Sequence, residues 1–419
     1  MGFRRHLLKF GLTTAIRRIF KAISTQWRAM DLGLYFDYNA TTPCSREVVD
    51  AMLPYFGERF GNPSSSHSHG WLARTAVEDA AYEIGDLLGV SPDDLVFTSG
   101  STESINTIIK GLARKKGTGG GHILTTKAEH KAVLDTCASL EEDGIEVTYL
   151  DVGPDGLVEV EAFRKALRPD TFLAAVMFAN NETGIIQPLD EIAALARANG
   201  TLLFSDTTQA LGKVSLEGVL DQVDFACFSG HKVYGPKGIG LTYIKNNADR
   251  SVLPALIHGG GQQKGQRGGT INTPLIAGLA RAIHLSVAHL EEDQKRIQAL
   301  RDRLEEGLLR IELSVSNNRA GRRLPNTAHI SFPYVDGAGL LTALSGKMAV
   351  SNGSACNSAS VEPSHVLLAM GIDRTLAYAS LRLSLGRFTT VQDVDKAIEV
   401  IAETVSRLRE NNILWERRQ

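Results

Sequence analysis

The chain of 419 residues is 43% apolar and 22% charged, with 40 glycines, the composition of a soluble globular protein long enough for two domains. Its formal net charge of −2 argues against nucleic acid as a direct partner, because there is no basic surplus to displace counterions from phosphates. The four cysteines, Cys44, Cys137, Cys227 and Cys356, form no C-x-x-C pair and no metal-ligand spacing, so no metal is expected and a reducing, cytoplasmic setting is the simplest inference.

Residues 1–30 depart from this balance, carrying seven Lys/Arg and no Asp/Glu, with Leu8, Leu12, Ile16, Ile19, Ile23 and Trp27 spaced along one helical face. Three readings stay open: a mitochondrial targeting peptide, which would place the protein in the matrix, a helix lying on an anionic membrane, or sequence upstream of a start at Met30. The last two together are preferred. No apolar run reaches the ~18 residues of a membrane-spanning helix.

Beyond this extension, strand-like runs alternate with helical stretches: 94–98, 122–125, 146–150 and 172–177. That alternation predicts an α/β fold, a mostly parallel sheet wrapped by helices, over a large domain at 44–290. Gly100-Ser101-Thr102-Glu103 closes one strand and opens a helix running through Ile105, Ile108 and Ile109, so backbone N–H groups and two hydroxyls converge at a positive helix end. An anion site and a plain helix cap both fit there.

Leu202–Gln209 reads as a buried strand ending in a carboxylate, Asp206, and Val223–Phe228 as a strand leading into Ser229-Gly230-His231-Lys232. Lysines in glycine-rich loops are mostly solvated or contact a phosphate. At a strand end in an open α/β sheet, however, a lysine can serve as a covalent catalyst if its surroundings depress its pKa. His231 is expected to supply part of that environment. A pyridoxal phosphate enzyme also needs an acidic partner for the pyridine nitrogen. Asp206 fits that part, its alternative being an ordinary helix cap.

Residues 285–311 predict a long helix leading to a smaller α/β domain, formed by 31–43 and 291–419. Within it, Cys356 lies among small polar residues, 351–360, with little helix or strand propensity, as suits an accessible nucleophile. Arg382 sits between apolar neighbours in a predicted strand.

Several motifs now stand in order: Asp37–Pro43, Phe97–Ser104, Glu129-His130-Lys131, Asn180–Gly184, the Asp206 and Lys232 segments, and Ser351–Cys356. From Leu34 to about Trp415 the chain resembles the cysteine desulfurases of the class V aminotransferase group, within the fold-type I pyridoxal phosphate enzymes. The resemblance implies pyridoxal phosphate held by Ser101, Thr102, Ser229, His231 and a partner subunit's residue matching Thr270, hence a homodimer with shared sites. It implies that His130 stacks on the ring and shuttles protons, and that Asn181 and Gln209 bond the phenolic oxygen. Lys232 would be the covalent anchor and base, while Arg382 and Asn39 lie at the substrate carboxylate. It implies conversion of L-cysteine to L-alanine, with a persulfide left on Cys356 for a sulfur-acceptor protein, such as an iron-sulfur scaffold or a tRNA-thiolation protein.

Departures from the family pattern are Thr207 and Thr208 after Asp206, Gly268 in Arg267–Thr270, and Asn352 in the cysteine loop. None removes a group the chemistry needs. Asn272-Thr273-Pro274 is reminiscent of selenocysteine lyases, which with other class V aminotransferases form the alternative. The chain ends at Gln419, where housekeeping members continue into a scaffold-docking tail, so a scaffold partner is a weaker expectation than the activity.

Overall fold

The computed structural model describes residues 33–117, 120–247, 253–318, 321–352 and 362–416. The basic extension and Cys356 lie outside the described residues. Among the described residues the strands are β1 (Leu34–Tyr35), β2 (Leu95–Thr98), β3 (His122–Thr126), β4 (Glu146–Leu150), β5 (Thr171–Ala175), β6 (Leu202–Asp206), β7 (Phe225–Ser229), β8 (Gly240–Ile244), β9 (Val315–Ser316), β10 (Thr327–Ser331), β11 (Met348–Ala349) and β12 (Ser380–Ser384). The principal helices are α1 (Ser68–Leu88), α2 (Ser101–Lys116), α3 (Lys131–Glu141), α4 (Leu189–Asn199), α5 (Thr273–Ala288), α6 (Leu290–Leu309) and α7 (Val391–Glu410).

Seven strands form the main sheet in the order β2-β8-β7-β6-β5-β3-β4. Only β8 runs against its neighbours. Because both faces are covered, the central strands read as near-continuous apolar runs rather than alternating ones. Phe97, Leu124, Ala174, Leu203 and Phe228 enter one core, whereas Val96, Ile123, Leu173, Phe204 and Phe225 enter another with α2 and α3. On α2, Ile105, Ile108, Ile109 and Leu112 form the buried stripe, and Arg114, Lys115 and Lys116 complement the negative end of the helix.

A third core joins Phe36 to Ile297, Leu304, Ile330, Leu381, Val394 and Ile401. It underlies a small antiparallel sheet, β12-β10-β9, and the β1-β11 pair. The long helix expected over 285–311 is two helices. α5 ends at Ala288 and α6 begins at Leu290, with His289 between them at φ −105°, ψ 10°. The charge and leucine density of the segment is continuous, but the backbone breaks where the chain passes from the first core to the third. Asn272, singled out for its selenocysteine-lyase flavour, accepts from Leu275 N at the start of α5, with Pro274 in the first turn. Helix initiation accounts for that motif.

The edge strand β2 is finished by a side chain. Gln263 Oε1 accepts from Phe97 N and Gln263 Nε2 donates to Phe97 O, both at 2.7 Å. No helix of the described residues is long and apolar enough to cross a membrane.

Candidate active site

The chain leaves β2, β3, β5, β6 and β7 at one edge of the main sheet, the carboxyl ends where open α/β sheets take ligands. A cavity of about 950 Å³ opens there. Its wall includes Asn39, Ser101, Thr102, His130, Asn181, Asp206, Gln209, Ser229, His231, Lys232 and Arg382. Thr270 is exposed and does not line the cavity.

Lys232 ends a short 3-10 turn, Gly230–Lys232, directly after β7. Its Nζ donates to the main-chain oxygens of Asn39 at 2.7 Å and Ala40 at 2.8 Å. Burial, reinforced by the positive charge of Arg382, lowers its pKa to about 8, with Asp37 and Asp206 opposing. His231 adjoins this amine in the cavity wall without adding positive charge to it. Burial and the charges of Lys232, Lys237 and Lys213 push its own pKa down to about 4, so the ring is neutral, with Nδ1 3.2 Å from Thr41 Oγ1.

Asp206 closes β6. Its Oδ1 accepts from Thr208 N at 2.9 Å and from the buried thiol of Cys227 at 3.3 Å. Across from it, the first-turn N–H groups of α2 have no intrahelical acceptors. Ser101 Oγ lies 2.6 Å from Thr208 Oγ1, tying that turn to the Asp206 loop. The turn is crowded enough that a Cβ on Gly240 would stand 2.5 Å from Gly100 Cα, so only glycine lets β8 pass beneath it. Glu103, in the same turn, receives a two-pronged bond from Arg267, Nε to Oε1 at 2.9 Å and one terminal nitrogen to Oε2 at 3.1 Å. Burial alone would raise the Glu103 carboxyl, but the bonds from Arg267 and Ser99 hold it below its ordinary value.

His130 caps α3, its Nδ1 accepting from Ala132 N at 3.1 Å, so the neutral ring carries its proton on Nε2. Burial lowers its pKa, and the ring is open to the cavity. Arg382, in β12, places a terminal nitrogen 2.7 Å from Asp37 Oδ1 and another 3.3 Å from Asn181 O. Asn39 is also at the wall, but its amide is committed within the protein. Nδ2 donates to Asn181 O and Thr327 Oγ1, and Oδ1 accepts from Asn326.

An amine of depressed pKa, a carboxylate and an open helix N-terminus thus face one cavity, and this donor set fits an aldehyde cofactor bearing a phosphate and a basic ring nitrogen. The sequence model of class-V aminotransferases matches residues 34–397. The chain belongs to that family. It is 47% identical over 389 residues to the cysteine desulfurase IscS of Dechloromonas aromatica, covering 92% of this chain and 96% of the relative. With the cysteine desulfurase IscS of Rickettsia bellii it shares 43% over 399 residues, 95% and 97% of the two chains. Among solved structures, a NifS-like protein superposes with a TM-score of 0.83 at 40% identity, covering 90% of this chain and all of the other. SspA in complex with cysteine superposes at 0.75 and 37%, covering 85% and 100%.

The motif reading gave no role to four groups that the structure brings to the site or its margin. Asp37 lay inside a quoted motif but had no role until its ion pair with Arg382 appeared. Lys213 contacts Asn39 and Gln209. Ser364, beyond the cysteine loop, bonds the buried carboxyl of Glu182, which burial raises to about 7. Arg267 and Glu103 are 164 positions apart. Each is a long-range pairing of opposite or complementary groups, and only the Gln209-to-Lys213 spacing of four left a local signal.

Proposed function

We propose that this chain is a pyridoxal phosphate-dependent cysteine desulfurase that converts L-cysteine to L-alanine and carries the sulfur as a persulfide on Cys356. The observation that carries the reading is the meeting of Lys232, Asp206 and the start of α2 in one cavity with Arg382. When bound, the cofactor supplies the electron sink that lets the substrate α-proton leave. The α2 N-terminus with Ser101, Thr102, Ser229 and His231 would hold its phosphate, Asp206 its ring nitrogen, and Asn181 and Gln209 its phenolic oxygen. His130, in the cavity wall, would lie against the ring. Lys232 Nζ is neutral in a useful fraction near pH 8 and accepts the α-proton. Arg382 takes the substrate carboxylate as a planar donor.

A homodimer with Thr270 lent across the interface is supported by the exposure of Thr270 and by the exposed apolar side chains of Phe56, Phe60, Trp71, Leu72 and Tyr82. The unpaired thiols Cys44, Cys137 and Cys227 suit a cytoplasmic setting. Sulfur then passes to an acceptor protein, an iron-sulfur scaffold being the one that the IscS relatives favour.

The test gives L-cysteine to the protein loaded with pyridoxal phosphate and follows alanine release, with persulfide mapped by mass spectrometry, in wild type and Cys356→Ala. Alanine and added sulfur on Cys356 in wild type, with turnover lost and cofactor retained in the variant, is the expected result. An equally active variant would remove Cys356 from the reaction.

A further inference from the structure

Lys213 is a partly buried amine next to the site to which neither the motifs nor the family resemblance gave a role. It follows Gly212, whose φ of +71° turns the chain back toward Gln209 and whose Cβ, if present, would stand 2.7 Å from Ser286 Cβ. Lys213 Nζ donates to Gln209 Oε1 and, at 3.3 Å, to Asn39 Oδ1. Burial, then the charges of Lys232 and Arg382, depress its pKa well below the lysine value.

A glutamine amide is nearly symmetric in shape, so its orientation is set by its neighbours. Gln209 stands between Lys213 Nζ, which donates to Gln209 Oε1, and a group that only accepts, the main-chain oxygen of Asn39, to which Gln209 Nε2 donates at 3.0 Å. Only one orientation satisfies both. It leaves the second N–H of Nε2 as the donor that Gln209 can offer to the cavity it lines. The same Asn39 oxygen accepts from Lys232 Nζ, so Lys213, Gln209, Asn39 and Lys232 form one continuous hydrogen-bonded set.

We propose that Lys213 is a positioning residue that locks the Gln209 amide with its N–H edge toward the cofactor, so that Gln209 meets an oxyanion on the cofactor ring as a donor. This rests on the reading that pyridoxal phosphate binds at Lys232 with its phenolic oxygen at Gln209. Without Lys213, Oε1 loses its donor and only the Nε2 bond to the Asn39 oxygen holds the amide in this orientation.

The experiment is a double-mutant cycle of Lys213→Met and Gln209→Ala on protein loaded with pyridoxal phosphate, reading the absorption maximum and pH titration of the bound chromophore, with thermal melting as the control for folding. Lys213→Met is expected to raise the apparent pKa of the chromophore by about 1, since a lost donor leaves more negative charge on the phenolic oxygen. In the Gln209→Ala background the same substitution should do nothing. An equal rise in both backgrounds, or none in either, overturns the proposal. Should the Met variant fail to hold cofactor, Lys213→Gln keeps a donor for Oε1 and is expected to titrate like wild type. A raised chromophore pKa in that variant would also overturn the proposal. Failure of the underlying reading is a separate result, in which wild type forms no chromophore or Lys232→Ala still forms it.

Discussion

Glu129 is a buried carboxyl group whose surroundings favour its protonated form. It is 1% exposed, with Oε1 accepting from Met177 N at 2.9 Å and Thr126 Oγ1 at 3.1 Å, while Oε2 has no partner among the described residues. Burial raises its pKa to about 8, the hydrogen bond from Met177 working against the shift and the charge of Asp206 adding to it. Between the ordinary value of 4.5 and 8 the unfolded chain therefore releases a proton that the folded protein retains, and stability falls as pH rises across that window. Each pH step there costs about 1.4 kcal/mol. From pH 5.5 to 7.5 the loss attributable to Glu129 is roughly 2.5 kcal/mol. Glu129→Gln preserves the acceptor at Oε1 and cannot ionise. Urea denaturation of wild type and variant at the two pH values should show the variant gaining about 2.5 kcal/mol relative to wild type on going from the lower to the higher pH. Stability curves that stay parallel would mean that Glu129 is ionised in the folded protein, and the burial argument would fail.

Two further outcomes follow from the site. Capture of pyridoxal phosphate by the protein stripped of cofactor, followed by absorbance, should accelerate with pH and level off near 8, because Lys232 attacks only as the neutral amine; a rise that continues to the ordinary lysine value near 10.5 would show that the pocket does not depress this pKa. Arg267→Ala leaves Glu103, only 10% exposed in its side chain, without its partner and should lower stability by roughly 2 kcal/mol. A melting temperature equal to wild type would count the pair as surface decoration.

Most of the framework was legible in the chain because its signals are local. The run 202–206 is apolar, short and ends in an aspartate, and β6 covers it. The Gly-Ser-Thr-Glu turn opens α2 as its cap chemistry demands. The break at His289 was not legible, since helix propensity is high on both sides and the interruption answers to two separate cores. The charge state of His231 was not legible for a related reason: sequence shows that a histidine adjoins a lysine, but not that burial and three neighbouring lysines together lower its pKa. Lys213 escaped notice because a lysine after a glycine is usually solvated, and of its two partners Asn39 comes from a distant part of the chain.

The glutamine clip on β2 bears on how the molecule behaves in a crowd. An uncovered outer strand is a template on which a foreign strand can dock and from which aggregates grow. Gln263 answers both backbone groups of Phe97 with one primary amide, whose carbonyl and NH₂ imitate a peptide unit. It does so from a backbone in the left-handed region, φ 49°, with Lys264 beside it at 56°. The segment that bears Thr270 is thereby stitched to the sheet margin, and the spot where a stray chain would zip on is already taken.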